Sequence, residues 1–306
     1  MPAPRYRALP VTAVAVTLVL WASAFVAIRH LGGSFSAGSL SLGRLLVGSL
    51  ALGAVVLSRG WEKPRRQDWP ALVTIGLLWF GLYNVALNAG EQRVDAGTAA
   101  MVIQLSPVLV AVMAILFLGE KATPALGVGL LVASVGVALI ATSTSGEGER
   151  DLLGVALCLI AAAAYSISLI LQKPLVSRLP AIEVTWIACT VGLIACLPFT
   201  ADLLRDIGAA SAADIGWIVY LGVFPTAIAF STYAYALKHM SAGNLSVTTY
   251  LVPPITVALS WLALSEVPPT EAYLGGVLCL AGVALTRRRA QVPAEPRRRV
   301  DSMRSP

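Results

Sequence analysis

From position 11 to position 286 the chain alternates long apolar runs with short polar punctuation. A helix crossing a hydrocarbon core of ~30 Å needs about 20 mostly apolar residues. Backbone polar groups facing lipid must be paired within the protein, which restricts spanning segments to helices or closed barrels. The runs lack the period-two alternation of barrel strands, so they predict helices. Ten spans result, over 11–28, 37–58, 71–89, 98–118, 124–142, 152–171, 184–201, 215–237, 244–264 and 272–286. Arg5, Arg7, the first apolar run and Ala22-Ser23-Ala24 imitate a cleavable signal peptide. The run nevertheless continues through Phe25 to Ile28, and the repeat described next needs it as a helix.

The polar stretch 143–151 divides the spans five and five. A shift of 146 residues then aligns the fourth and fifth spans with the ninth and tenth, without a gap and with twelve identities over residues 96–139. The telling pairs are Gly97 with Gly243, Pro107 with Pro253, Glu120 with Glu266, Gly129 with Gly275 and Gly136 with Gly282. Five helices per copy is an odd number, so the second copy enters the membrane from the opposite face. The predicted fold class is an all-α integral membrane protein of ten transmembrane helices, arranged as two inverted-topology five-helix repeats. Such proteins work by alternating access around a midplane site between the repeats. The implied organisation is a cytoplasmic N-terminus over 1–10, a first repeat over 11–142, an external linker over 143–151, a second repeat over 152–287 and a basic tail over 288–306.

Composition and charge sharpen this. Of 306 residues 57% are hydrophobic and 12% charged, against roughly 25% charged in soluble proteins. With the N-terminus in the cytoplasm, only Arg29, Arg93, Arg150 and Arg205 of the 22 Lys and Arg face outside, and Arg44 lies within a span. By the positive-inside rule both termini are cytoplasmic, in an inner or plasma membrane. The net charge of +6 sits largely in the tail arginines, which a membrane surface explains without nucleic acid. Cys158, Cys189, Cys196 and Cys279 all lie in apolar runs and show no metal or disulfide spacing. No cofactor is expected.

Candidate chemistry lies inside the spans. Pro107 and Pro253 sit near the middle of matched helices, where a proline either merely kinks the helix or opens a carbonyl beside a cavity. Trp21, Trp79, Tyr165 and Tyr250 lie deep, as packing or as a lining that adds an N–H or O–H to an apolar face. Phe80, Asn84 and Asn88 share one face of the third helix, with Tyr83 adjacent; the amides either glue helices or face solute. Gln104 and Tyr250 are related by the repeat, flanked by Ser106 and Thr249. Arg44 either snorkels outward, pairs with Glu91 or Asp95, or meets an anionic solute group. Glu120 and Glu266 end matched helices and either cap loops or gate. Gly129, Ala133, Gly136, Gly275 and Gly282 suit close helix contact, within the chain or across a homodimer. The predicted substrate-binding set is Trp21, Trp79, Tyr83, Asn84, Asn88, Gln104, Pro107, Tyr165, Thr249, Tyr250 and Pro253, drawn mainly from the first, third, fourth, sixth and ninth helices.

The segment Trp21-Ala-Ser-Ala-Phe25-Val-Ala-Ile-Arg29, Arg44, and the stretch from Ala96-Gly97 through Pro107 to Glu120-Lys121 with its copy from Ala242 to Glu266 carry a resemblance. The chain resembles the drug/metabolite transporter superfamily in its EamA-type branch, over residues 11 to 287. Its first-helix motif departs from the common pattern at Ala22, where glycine is usual. The resemblance implies a secondary transporter, more often an exporter, of amino acids, other metabolites or drugs; it does not fix the cargo. The alternatives are a membrane enzyme or a sensor or scaffold. The chain has no HExxH, paired Asp-rich motif, nucleophile elbow or Walker A loop. With hardly a carboxylate in mid-span, facilitated diffusion, exchange or weak proton coupling is expected in preference to strict sodium symport.

Overall fold

The structure is a computed structural model that describes residues 5–93, 102–144, 152–264 and 270–288. Asp95, Gly97, Glu266, most of the 143–151 linker and nearly all of the basic tail lie outside the described residues. Every regular element among the described residues is helical. The first half holds α1 (Arg5–Leu31), α2 (Ala37–Arg59), α3 (Arg66–Glu91), α4 (Ser106–Leu118) and α5 (Pro124–Thr144). The second holds α6 (Leu152–Val176), α7 (Ala181–Ala195), α8 (Leu197–Ala209), α9 (Ala212–His239), α10 (Ala242–Val247), α11 (Val252–Leu264) and α12 (Thr270–Arg288).

Local chemistry explains the boundaries. Ser36 accepts a hydrogen bond from the Ser39 N–H at 3.2 Å and so caps α2. Gly60, at φ 86°, ends α2, and Gly119, at φ 66°, ends α4; glycine takes that left-handed backbone without a Cβ penalty. Three expectations need correction. The seventh span is two helices, α7 and α8, bent by 53°; Pro198 opens the second and supplies no N–H to continue the ladder. The ninth span is broken into α10, a tight 3-10 turn over Thr248–Leu251, and α11. Pro107 and Pro253 do not sit inside a helix. Each lies in the first turn of the segment that restarts after a break, where the missing N–H has no intrahelical partner to lose.

Five helices are individually long and apolar enough to cross a membrane, or six if α7 and α8 form one bent span. The burial pattern is that of a protein in lipid. Leu50, Leu116, Phe117, Leu131 and Leu152 stand on the outside. Thr17, Ser39, Ser41, Asn84, Asn88, Gln172, Thr226 and Ser246 are buried. A soluble protein places its polar groups the other way round.

The small-residue stripes meet inside the chain, in α5 and α12. A Cβ added at Gly136 would lie 2.5 Å from the Gly275 carbonyl oxygen and 2.8 Å from the Cys279 nitrogen. One added at Gly282 would lie 2.7 Å from the Gly129 oxygen and from the Ala133 nitrogen. Position 136 thus faces 275 while 129 faces 282, so the two helices run antiparallel. The same reversal holds for α2 against α7, where Ser49 Oγ meets Thr190 Oγ1 at 2.7 Å and Gly53 abuts Trp186. It holds again at the broken helices, where Gln104 reaches Thr249 and Ser246 reaches Pro107. All four cysteines are buried free thiols.

Candidate functional site

A cavity of about 770 Å³, counting its open mouth, lies where both halves converge. Trp21, Ala24, Phe25 and Ile28 of α1 form one wall, and Trp79, Tyr83, Asn84 and Leu87 of α3 another. Arg44, Tyr165 and Phe230 come from α2, α6 and α9. Ile103, Gln104, Ser106, Thr249 and Val252 come from the two helix breaks.

The α3 and α9 walls share a device. Each helix widens into a π-type segment, Gly76–Leu82 in α3 and Gly222–Ile228 in α9, and the two are 146 residues apart. A wide turn leaves carbonyls without their usual partners, and side chains satisfy them here. Asn84 donates Nδ2 to the carbonyls of Phe80 at 2.9 Å and Trp79 at 3.2 Å. Thr226 donates its hydroxyl to the Leu221 carbonyl at 2.8 Å. The Thr226 oxygen in turn accepts Nε–H of Arg44 at 3.1 Å. Arg44 is therefore buried and lines the cavity, which overturns the snorkelling alternative. Among the described residues it makes no ion pair within 4.0 Å, Glu91 included.

The walls are mostly aromatic. Trp79 meets Tyr165 and Phe230 edge-on, each at a ring separation of 5.1 Å. Trp21 packs 4.8 Å from Tyr233 and 5.4 Å from Phe230. The hydroxyls of Tyr165 and Tyr233 share a 2.6 Å hydrogen bond. The indole Nε1 of Trp21 is buried without a partner.

Of the predicted set, Trp21, Trp79, Tyr83, Asn84, Gln104, Tyr165 and Thr249 meet on the cavity wall, together with Arg44. Four residues do not. Asn88 donates Nδ2 to Ser41 Oγ at 3.1 Å and ties α3 to α2. Tyr250 is buried against α5, its hydroxyl 2.8 Å from Ser134 Oγ. Pro107 presents its carbonyl to Ser246 at 3.4 Å, so this oxygen serves packing and is not open to the cavity. Pro253 is buried behind the wall. Phe230, and with it α9, lies outside the predicted set, whereas Arg44 of α2 has contact with an anionic solute group among its alternatives. The signal existed, because the 146-residue shift carried onto the third and eighth spans places Asn84 on Phe230.

Away from the cavity, Glu120 accepts hydrogen bonds from the Ala242 and Gly243 N–H groups and caps α10. Lys173 donates to the Leu237 and Met240 carbonyls at the end of α9. His30 approaches Asp214 at 3.4 Å. Among the described residues no group of His, Cys, Asp and Glu has the makings of a metal site.

The EamA-like transporter family matches residues 9–142 and 152–288. A relative from Streptantibioticus cattleyicolor named "probable terminal-alkyne amino-acid exporter" is 37% identical over 279 residues, covering 91% of this chain and 93% of the relative. The uncharacterized transporter YdfC of Bacillus subtilis is 32% identical, covering 87% of each chain. One solved crystal structure shares the fold with a TM-score of 0.76 at 20% identity, covering 92% of this chain and 99% of its own.

Proposed function

This chain belongs to the EamA-like transporter family, and from that premise we propose that it exports small metabolites, such as amino acids or related compounds, by alternating access. The observation carrying this reading is the cavity built from both halves, with α1 to α3 on one side and α6, α9 and α11 on the other. The antiparallel pairing of α5 with α12, of α2 with α7, and of the two helix breaks supports two inverted five-helix repeats in ten membrane spans. The Lys and Arg distribution supports cytoplasmic termini in the inner or plasma membrane. In that orientation Glu120 ties the two halves together on the cytoplasmic side, a natural place for a gate, while Lys173 joins α6 to the end of α9 within the second half. The exporter name of the Streptantibioticus relative supports amino acids as cargo.

The test is solute flux. Expressed in a host stripped of its own exporters, the protein should confer resistance to toxic amino-acid analogues, with the analogue recovered from the medium. In proteoliposomes the same solute should cross unchanged. Sensitivity equal to the empty host, with no flux in liposomes, would overturn the reading. Within that assay Gln104→Leu should weaken apparent affinity several-fold, because the cavity-lining amide also ties the two halves through Thr249. Asn88→Leu should leave affinity unchanged and lower thermal stability, by roughly 1 kcal/mol for one lost interhelical hydrogen bond. Leu131→Ala, on the exposed side of α5, should change neither.

A further inference from the structure

A charged side chain facing hydrocarbon is retained only where something compensates it. Arg44 is 5% exposed in the midst of apolar helices. Thr226, its hydrogen-bond partner, is neutral and engages only Nε. Because the Thr226 hydroxyl hydrogen is committed to the Leu221 carbonyl, its oxygen is oriented as an acceptor. That locks the guanidinium in place on the cavity wall. Arginine is suited to such a post: its remaining N–H groups form a planar fork matched to a carboxylate.

A second observation points the same way. Trp21 Nε1, on the same cavity, is a buried donor with no acceptor. The cavity therefore has a fixed positive charge on its wall and, covered within the Trp21 part of that wall, an unpaired N–H, and no Asp or Glu lines it. The remaining wall is dominated by Phe25, Ile28, Trp79, Leu87 and Phe230. A fixed cation with no close counter-ion, in a mostly apolar aromatic box that also holds the Asn84 and Gln104 amides, fits a small solute that has an anionic end and a compact apolar remainder.

We propose that Arg44, with Trp21 beside it, forms a carboxylate subsite that makes the transported solute a carboxylic acid with a small apolar side chain. This rests on the transport reading above and deepens it. A solute carboxylate supplies the close ion pair that no described Asp or Glu makes with Arg44 within 4.0 Å. The amide of the same acid, with nearly the same shape and the same α-amine but no carboxylate, does not supply it. Glu91 lies near enough to feel the Arg44 charge but is not part of the cavity wall. A purely structural pairing of the two would make loss of Arg44 indifferent to the solute's charge.

The experiment uses the full chain and one matched pair of probes, propargylglycine and propargylglycinamide. Binding is read as thermal stabilisation in detergent, and transport as flux in proteoliposomes. The parent protein should prefer the acid by roughly tenfold or more, the range expected of a charge-assisted hydrogen-bonded contact. Arg44→Gln should abolish that preference while amide flux persists, and Arg44→Lys should keep part of it. Trp21→Phe retains the ring packing and should cut the preference several-fold, which carries the test if Arg44→Gln does not fold. A ratio is unaffected by how much protein folds. Acid-selective, Arg44-dependent binding without flux would uphold the subsite and sink the transport reading. Flux with no preference for the acid, or with a preference that survives Arg44→Gln and Trp21→Phe, would sink the subsite alone. Failure of both probes to bind or cross would overturn the subsite too.

Discussion

Gly282→Ala should destabilise the protein by about 1–3 kcal/mol, and Gly282→Val by more, the range for overpacking a closed contact. The new Cβ at 282 would stand 2.7 Å from the Gly129 oxygen and from the Ala133 nitrogen. Both are backbone atoms of a neighbouring helix and cannot rotate aside. The clash can be relieved only by separating α5 from α12 along their whole crossing. Gly136→Ala should behave alike, since its Cβ would meet the Gly275 and Cys279 backbone. Gly127→Ala, on the same α5 but with open space around it, should be neutral or slightly stabilising, because alanine is the better helix former. Thermal unfolding in detergent, followed by size-exclusion of the surviving monodisperse protein, ranks the four variants. Equal midpoints for Gly282→Ala and Gly127→Ala would mean that the helices do not cross this closely.

Trp79→Ala should cost about 3–5 kcal/mol, the range for deleting a large buried aromatic side chain, and should abolish solute selectivity as well. Trp79 is 1% exposed and is among the largest fully buried side chains among the described residues. Its ring contacts those of Phe80, Tyr165, Phe230 and Tyr233, drawn from α3, α6 and α9. Its removal enlarges the solute cavity and unties three helices at once. Trp79→Phe should recover most of the stability. Trp61→Ala, just beyond the end of α2 and 43% exposed, should cost far less. A Trp79→Ala protein as stable as the Trp61→Ala one would show that the aromatic cluster does not hold the halves together.

Asn84 and Asn88 show where reading along the chain runs out. Four residues apart on one helix, they share a face, and both are amides that must be paired in lipid. Yet Asn84 lines the cavity and satisfies carbonyls of its own widened helix, while Asn88 reaches across to Ser41 of α2. Both lie on the regular turns Tyr83–Glu91 beyond the wide turn of Gly76–Leu82, so it is the neighbour each one meets that separates them, the wide turn only leaving the carbonyls that Asn84 satisfies. No residue type announces such a turn. Phe230 likewise reads as one more apolar residue of the eighth span until Trp21, Trp79 and Phe80 are seen around it.

By itself, the sequence determined the helical class, the family resemblance and the 146-residue repeat, and it marked Arg44 and the deep aromatics as unusual. The helical class and the marked residues follow from composition, since a segment in lipid must be apolar over its length and a buried charge or amide stands out against it; the repeat and the resemblance rest on matched residues such as Gly97 with Gly243 and Pro107 with Pro253. The tertiary structure alone decided the breaks before Pro107 and Pro253, the bend at Cys196, the inward turn of Arg44 onto Thr226 and the release of Tyr250 and Asn88 from the cavity. Each depends on which neighbour lies across a helix–helix contact. In a chain apolar on both its lipid-facing and its packed sides, the hydrophobic pattern hardly distinguishes one face from the other. Only the close approach of backbones at residues such as Gly136 and Gly282 sets which faces meet.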